Sequence, residues 1–166
     1  MIPTIDLDDI TEEAFGTAIK YISYRPRTEQ ETRKRLLKHY VSSAVEIAIA
    51  KCYQNNLLND RQFSEMWIAS RTNSRPKSAY MIKRELITKG VSKQIAEEVI
   101  QSVDDNENAL SAADKKTRSI SHLPKDQFIR KLMAHLLRKG FSRDIVKKTT
   151  NTAWANRNNR QSGLMD

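Results

Sequence analysis

The 166-residue sequence predicts an all-α protein built from three tandem three-helix repeats, in the manner of helix-turn-helix units, and three observations predict it. Helix breakers are scarce, with four Gly and four Pro, whereas residues that lose little on entering a helix (Lys, Arg, Leu, Ile, Ala, Glu, Gln) are abundant. The sequence matches itself at an offset of 50 residues: LLKHYVSSAV at 36–45 aligns with LITKGVSKQI at 86–95 and with LLRKGFSRDI at 136–145. One punctuation mark, proline then a basic residue then a helix-capping residue, is written three times, as RPRT, RPKS and LPKD. A fixed period of this size points to one supersecondary unit repeated.

The elements follow in chain order. Phe15, Ile19 and Ile22 are spaced as one helical face and predict a helix over 11–23. Pro26 disfavours α geometry in Arg25 and closes that helix; Thr28 caps the next, over 29–39, and with Glu31 spells a capping box. Leu36 and Leu37 end this second helix near Tyr40, Val41 plugs the turn, Ser42 caps a third helix over 43–55, and Val45 returns to the core. The second repeat takes Asp60 as cap and Phe63, Trp67 and Ile68 as the face of a helix over 61–73. Pro76 and Ser78 open a helix over 79–89 that ends on Leu86, Ile87 and Gly90, and Val91, Ser92 and Ile95 lead into 93–103. In the third repeat Ala109, Ala112, Ala113 and Ile120 form a weaker face over 107–120. Pro124 and Asp126 open 127–139, which ends on Leu136, Leu137 and Gly140; Phe141, Ser142 and Ile145 lead into 143–156. This divides the chain into an acidic lead over 1–13, repeats over 14–56, 57–104 and 105–156, and a tail over 157–166 without apolar periodicity, expected to be loose. Stacked repeats would form an elongated, curved body.

The charge is unevenly placed. Asp6, Asp8, Asp9, Glu12 and Glu13 precede the first cation, Lys20, so removing those five negative charges from the net +9 leaves +14 on the rest. So basic a body suggests a polyanionic partner. The acidic lead reads as a simple disordered or helix-leading end or, alternatively, as an internal phosphate mimic that competes for the basic surface. No stretch approaches the ~20 apolar residues of a membrane span, and the N-terminus lacks a basic signal-peptide head, so a cytoplasmic location with no membrane partner is expected. The single cysteine, Cys52, has apolar neighbours and reads as a small buried side chain.

Chemistry is mostly missing. His39, His122 and His135 stand apart, with no Cys or carboxylate at ligand spacing, and DDNEN at 104–108 lacks the central Gly and terminal Glu of a calcium loop. No Gly-rich phosphate loop is present, so no cofactor, metal site or catalytic residue is expected and the protein does not read as an enzyme. Trp67 and Trp154 lie within helical apolar patterns and read as core before base-stacking platforms. Function could reside in the basic residues around each proline. Arg25, Arg27, Arg71, Arg75, Lys77, Arg84 and Lys125 are the candidate contacts, and Arg27, Lys77 and Lys125 hold the equivalent place after the proline. Such a row would suit a partner that itself repeats. Short turns between short helices also permit an alternative, a sequence-specific DNA-binding regulator made of tandem helix-turn-helix units.

AIKYISYRPRTEQETRKRLLKHYVS at 18–42, LLNDRQFSEMWIASR at 57–71, and the repeat ends ELITKGVS and HLLRKGFS together resemble the RecX family of bacterial recombination regulators. The resemblance covers 14–154, and its most specific parts are Tyr21 with Ser23 to Arg27, and Asn59 and Asp60 with Phe63, Trp67 and Arg71. This chain departs at His39 and Tyr40, where the family usually has Lys-Gly, at Asn59, where a second Asp is common, and in lacking a glycine between Arg71 and Pro76. The resemblance implies a regulator, usually an inhibitor, of RecA in homologous recombination, DNA repair and the SOS response. It would lie as a monomer along the groove of the RecA–ssDNA filament, modulating ATPase, strand exchange and co-protease function. Sequence-indifferent binding of single-stranded or duplex DNA is also implied.

Overall fold

The structure is a computed structural model that describes residues 6–162. Nine α-helices follow one another among these residues: α1 Leu7–Ser23, α2 Glu29–Leu36, α3 Ser42–Gln54, α4 Asp60–Ser74, α5 Ala79–Thr88, α6 Lys93–Val99, α7 Asp105–Ile120, α8 Lys125–Arg138 and α9 Arg143–Ser162. A 3-10 turn, Ile100–Ser102, extends α6. The described residues contain no strand. The described residues form two compact units, one comprising 6–66 and Glu85–Val99, the other Trp67–Arg84 and 100–162.

In the first unit α1 packs chiefly on α3, and small side chains make that contact: Thr11, Ala14 and Ala18 are buried on α1, Ala44, Val45, Ala48, Ile49 and Cys52 on α3. The face differs from the expected one. Phe15 and Ile22 pack at the edge of this core, but Ile19 is exposed, because two alanines one turn apart let the helices approach where larger residues would hold them off. Cys52 is fully buried, and burial pushes its thiol up to about 11. The acidic lead is helical from Leu7: Asp6 caps α1, Asp8 and Asp9 favour its positive N-terminal end, and Glu12 pairs with Lys51. Residues 1–5 of the lead lie outside the described residues.

In the second unit α7 packs on α8 and α9, burying Ala109, Ala112, Ala113 and Ile120 with Phe128, Leu132, Leu136, Phe141 and Val146. Trp154 joins this core edge-on to Phe128, 5.3 Å between ring centroids. α9 continues to Ser162, past the point where a loose tail was expected. Its continuation is anchored by the Arg157 guanidinium, which stacks 4.5 Å over Trp154 and 5.4 Å from the Phe128 ring. Residues 163–166 of the expected tail lie outside the described residues.

The 50-residue period is physical. Residue by residue, burial over 82–100 recurs over 132–150, with Leu86 and Leu136 both fully buried. In both copies a left-handed glycine, Gly90 or Gly140, ends the helix: its N–H reaches the carbonyl of Ile87 or Leu137, and the N–H of Val91 or Phe141 reaches back to Leu86 or Leu136. Ser92 and Ser142 then accept from the N–H of Ile95 and Ile145, as the cap positions require. The first repeat departs. It has no glycine here, its turn is one residue shorter, and from Tyr40 onward its equivalents lie 51 residues ahead. Val41 is 55% exposed and is the uncapped N-cap of α3, whereas Val91 and Phe141 are each 3% exposed. Tyr40 takes the plugging place, half-buried against the core with its hydroxyl 2.8 Å from that of Thr17, and Ser42 falls inside α3 instead of capping it.

Candidate functional site

The proline corners are joints between repeats. In the first, Thr28 completes the expected capping box, accepting from the Glu31 N–H at 3.1 Å while the Glu31 carboxylate accepts from the Thr28 N–H. The same Thr28 hydroxyl donates to the Lys89 carbonyl at 2.6 Å, so the cap of α2 grips the turn of the following repeat. At the second corner the Ser78 N–H donates to the Lys139 carbonyl at 3.0 Å, and the Ser78 hydroxyl accepts from Met81 N–H. Both caps are fully buried. An aspartate at the head of the next repeat completes each joint: Asp60 accepts from the Glu29 N–H at 2.9 Å and Asp105 from the Ala79 N–H at 2.6 Å. Asp60 is therefore not the cap of α4; Asn59 is, accepting from the Gln62 N–H. Burial pushes the Asp60 carboxyl up, with the neighbouring Glu29 and Glu31 charges adding to the rise and the Glu29 N–H opposing it. The third corner is open. Pro124 itself is the N-cap of α8, so Asp126 sits within the first turn and does not cap.

The seven candidate cations fall in different settings. Arg25 is exposed but internally engaged, its guanidinium donating to both Glu31 oxygens at 3.0 and 3.2 Å and to the Pro26 carbonyl. Burial alone would push Glu31 up; Arg25 and Lys89, 3.5 Å away, outweigh it and hold the carboxyl below its ordinary range. Arg27 is half-buried with its guanidinium 4.0 Å over the Tyr21 ring, and Arg35 lies 6.0 Å from the same ring. Arg71 stacks 4.1 Å over half-buried Trp67, which is thus neither pure core nor an open platform. Arg84 is exposed, 5.9 Å from the Tyr80 ring. Lys77 is half-buried, its carbonyl accepting from Asn108 Nδ2. Arg75 and Lys125 are exposed, Lys125 as the first residue of α8.

Among the described residues the corner cations are thus equivalent in sequence but not in surroundings, since the first two corners are bonded to the turn of the next repeat and Lys125 stands exposed as the first residue of α8. Within the second unit the structure gathers Arg75 with Lys115, Lys116, His135 and Lys139 in one cleft. Lys115 and Lys116 escaped the sequence reading because only α7–α8 packing brings them there. Tyr24, 89% exposed beside Arg25, is the most open aromatic ring among the described residues and was also missed as a stacking surface; its place at the end of α1, two residues before the helix-closing Pro26, was the available signal. A repeated apolar feature emerges as well. The second of each pair of aliphatics, Leu37, Ile87 and Leu137, is left 46%, 42% and 46% exposed.

Comparison with known proteins bears on what such a surface serves. Three family models match successive stretches: RecX, first three-helix domain, over 14–52; RecX, second three-helix domain, over 59–100; and RecX, third three-helix domain, over 104–149. The chain is 34% identical over 145 residues to the regulatory protein RecX of Prosthecochloris aestuarii, covering 86% of this chain and 94% of that one. It is 31% identical over 150 residues to the regulatory protein RecX of Bacillus cytotoxicus, covering 88% of this chain and 56% of that one. The chain spans about half the length of the Bacillus and Lactococcus relatives it matches. Among solved structures, that of RecX from Lactobacillus salivarius superposes with a TM-score of 0.76 at 27% identity, over 88% of this chain and 97% of the other.

Proposed function

The chain belongs to the RecX family, and from that premise we propose that it is a non-enzymatic regulator of RecA, in the usual case an inhibitor. It binds along the groove of the RecA–ssDNA filament in the cytoplasm, modulating ATPase, strand exchange and co-protease function, and touches nucleic acid without sequence preference. One observation carries this reading beyond family membership. Each repeat leaves an aliphatic side chain half exposed at the same place, Leu37, Ile87 or Leu137, with a basic residue, Lys38, Lys89 or Arg138, within two positions of it. A contact element written once per repeat suits a partner whose subunits repeat along an axis. Arg27, Lys77 and Lys125 add a cation per corner, and phosphate contacts made by such cations position without reading sequence.

The test is RecA ATPase driven by single-stranded DNA, measured against increasing amounts of this protein, alongside its binding to DNA without RecA. Dose-dependent loss of ATPase with weak, salt-sensitive DNA binding is expected. Protection of one particular duplex sequence, with no effect on RecA, would instead establish the tandem helix-turn-helix alternative.

A further inference from the structure

A cleft of about 190 Å³ lies beside the second corner, where α7 and α8 meet the end of α4. Arg75, Lys115, Lys116, His135 and Lys139 supply its charged and titratable groups, and no carboxylate lines it. Two of the ammonium groups are fixed by backbone carbonyls: Lys115 Nζ donates to Asn73 at 2.7 Å and Ser74 at 3.0 Å, and Lys139 Nζ donates to Pro76 at 2.9 Å. An ammonium has three donors, so both retain capacity for a ligand while already held in place.

The equivalent place in the first joint shows that the fold does not require this concentration of charge. There Glu31 lies between Arg25 at 3.0 Å and Lys89 at 3.5 Å and compensates both. In the second joint Arg75 and Lys139 replace Arg25 and Lys89, but Met81 replaces Glu31, although the local geometry is kept: Met81 N–H bonds the Ser78 hydroxyl as Glu31 N–H bonds that of Thr28. The carboxylate is gone, and α7 adds two lysines. Burial depresses the basicity of Lys139, and the charges of Lys77, Lys115 and Arg75 depress it further. His135 is depressed in the same way, by burial and then by Lys139, Lys116 and Arg138. Cations crowded without a counter-charge repel one another, and an anion bound among them relieves that repulsion.

We propose that this cleft binds a phosphate group, either of a nucleic-acid backbone or of a free polyphosphate. Arg75 presents a planar fork suited to two phosphate oxygens, and the lysines act as point charges around it. The cleft stands on its own geometry; only the choice of nucleic acid as the source rests on the RecA reading above.

The experiment uses the full chain and two variants. Met81→Glu restores the carboxylate of the first joint and completes a capping box with Ser78, so its fold should be kept or strengthened. Lys116→Gln removes one cation without touching the carbonyl tethers of Lys115 and Lys139. Calorimetric titration with inorganic tripolyphosphate should show binding to the wild type, weakened about tenfold in each variant, with thermal unfolding no lower than about that of the wild type. If oligothymidylate binding weakens in parallel and its log–log salt slope falls by about 1, the phosphate is that of a nucleic-acid backbone. If only tripolyphosphate binding weakens, the source is a free polyphosphate. Failure of the wild type to bind tripolyphosphate, or equal binding by wild type and both variants, overturns the proposal. Tripolyphosphate binding by a protein that leaves RecA ATPase untouched would sink the regulatory reading and leave the cleft standing.

Discussion

Gly140 meets two demands that no other residue can meet together. Its φ is 88°, and a Cβ added there would collide with the side chains of Met81 and Ser78 in the preceding repeat. Gly90, at φ 92°, stands likewise against Gln30. Left-handed backbone costs an alanine about 1 to 2 kcal/mol, and crowding a packed joint costs about 1 to 3 more. Gly140→Ala should therefore lower stability by roughly 2 to 5 kcal/mol, read as a shift in the urea midpoint at unchanged slope. Gly16 offers the opposite case. It lies within α1 with nothing within 4 Å of an added Cβ, so Gly16→Ala should raise stability by about 0.5 to 1 kcal/mol. No loss at Gly140 would show that the turns are not what holds adjacent repeats in register, and a loss at Gly16 would show that α1 has no room there for a methyl group.

At the scale of elements the three proline corners look alike in sequence and do different work. Thr28 caps α2 and also donates to the Lys89 carbonyl, so Thr28→Ala removes a cap and a joint bond at once. A loss of about 2 to 4 kcal/mol is expected. Asp126 lies in the first turn of α8 and only complements the helix dipole, so Asp126→Ala should cost less than about 1 kcal/mol. Thermal unfolding of the two variants separates them, and equal losses would refute the assignment of Thr28 as a joint residue. Local grammar made much of this legible. The Thr28 and Glu31 capping box needs four consecutive residues, and the glycine stops at Gly90 and Gly140 need one turn. What lay hidden involves partners distant in sequence: Asp60 with Glu29, Asp105 with Ala79, and the cleft lysines of α7 with Lys139. The displaced third helix of the first repeat was hidden for a different reason. Matching at a constant offset aligned Val41 with Val91 and passed over the residue missing from the turn, so the roles of Tyr40, Val41 and Ser42 were each read one place off.

At the scale of the whole molecule, a net charge of +9 does not say which cations are available to a partner. Part of the positive charge is already answered within the chain. Glu31 engages Arg25 and Lys89, Glu29 and Glu46 engage Arg33, Glu12 engages Lys51, and Glu98 engages Arg61. Arg75, by contrast, faces a cleft without carboxylates, and Lys125 stands exposed at an open corner. The salt dependence of polyanion binding counts contacts made to phosphate, not net charge, so these residues should differ although each carries one charge. Arg75→Gln and Lys125→Gln should each lower the log–log salt slope of single-stranded DNA binding by about 1 and raise the concentration that half-inhibits RecA ATPase. Arg25→Gln should leave the slope nearly unchanged and act mainly on stability, since it strips Glu31 of its closest cation. Because Arg75 lies in the cleft and Lys125 outside it, with no hydrogen-bond or ion-pair partner in common among the described residues, the effects of removing them together should add in free energy to within about 0.5 kcal/mol. Should Arg25→Gln lower the slope as much as Arg75→Gln, the surface would be acting through its summed field, and the distinction between engaged and available cations would fall.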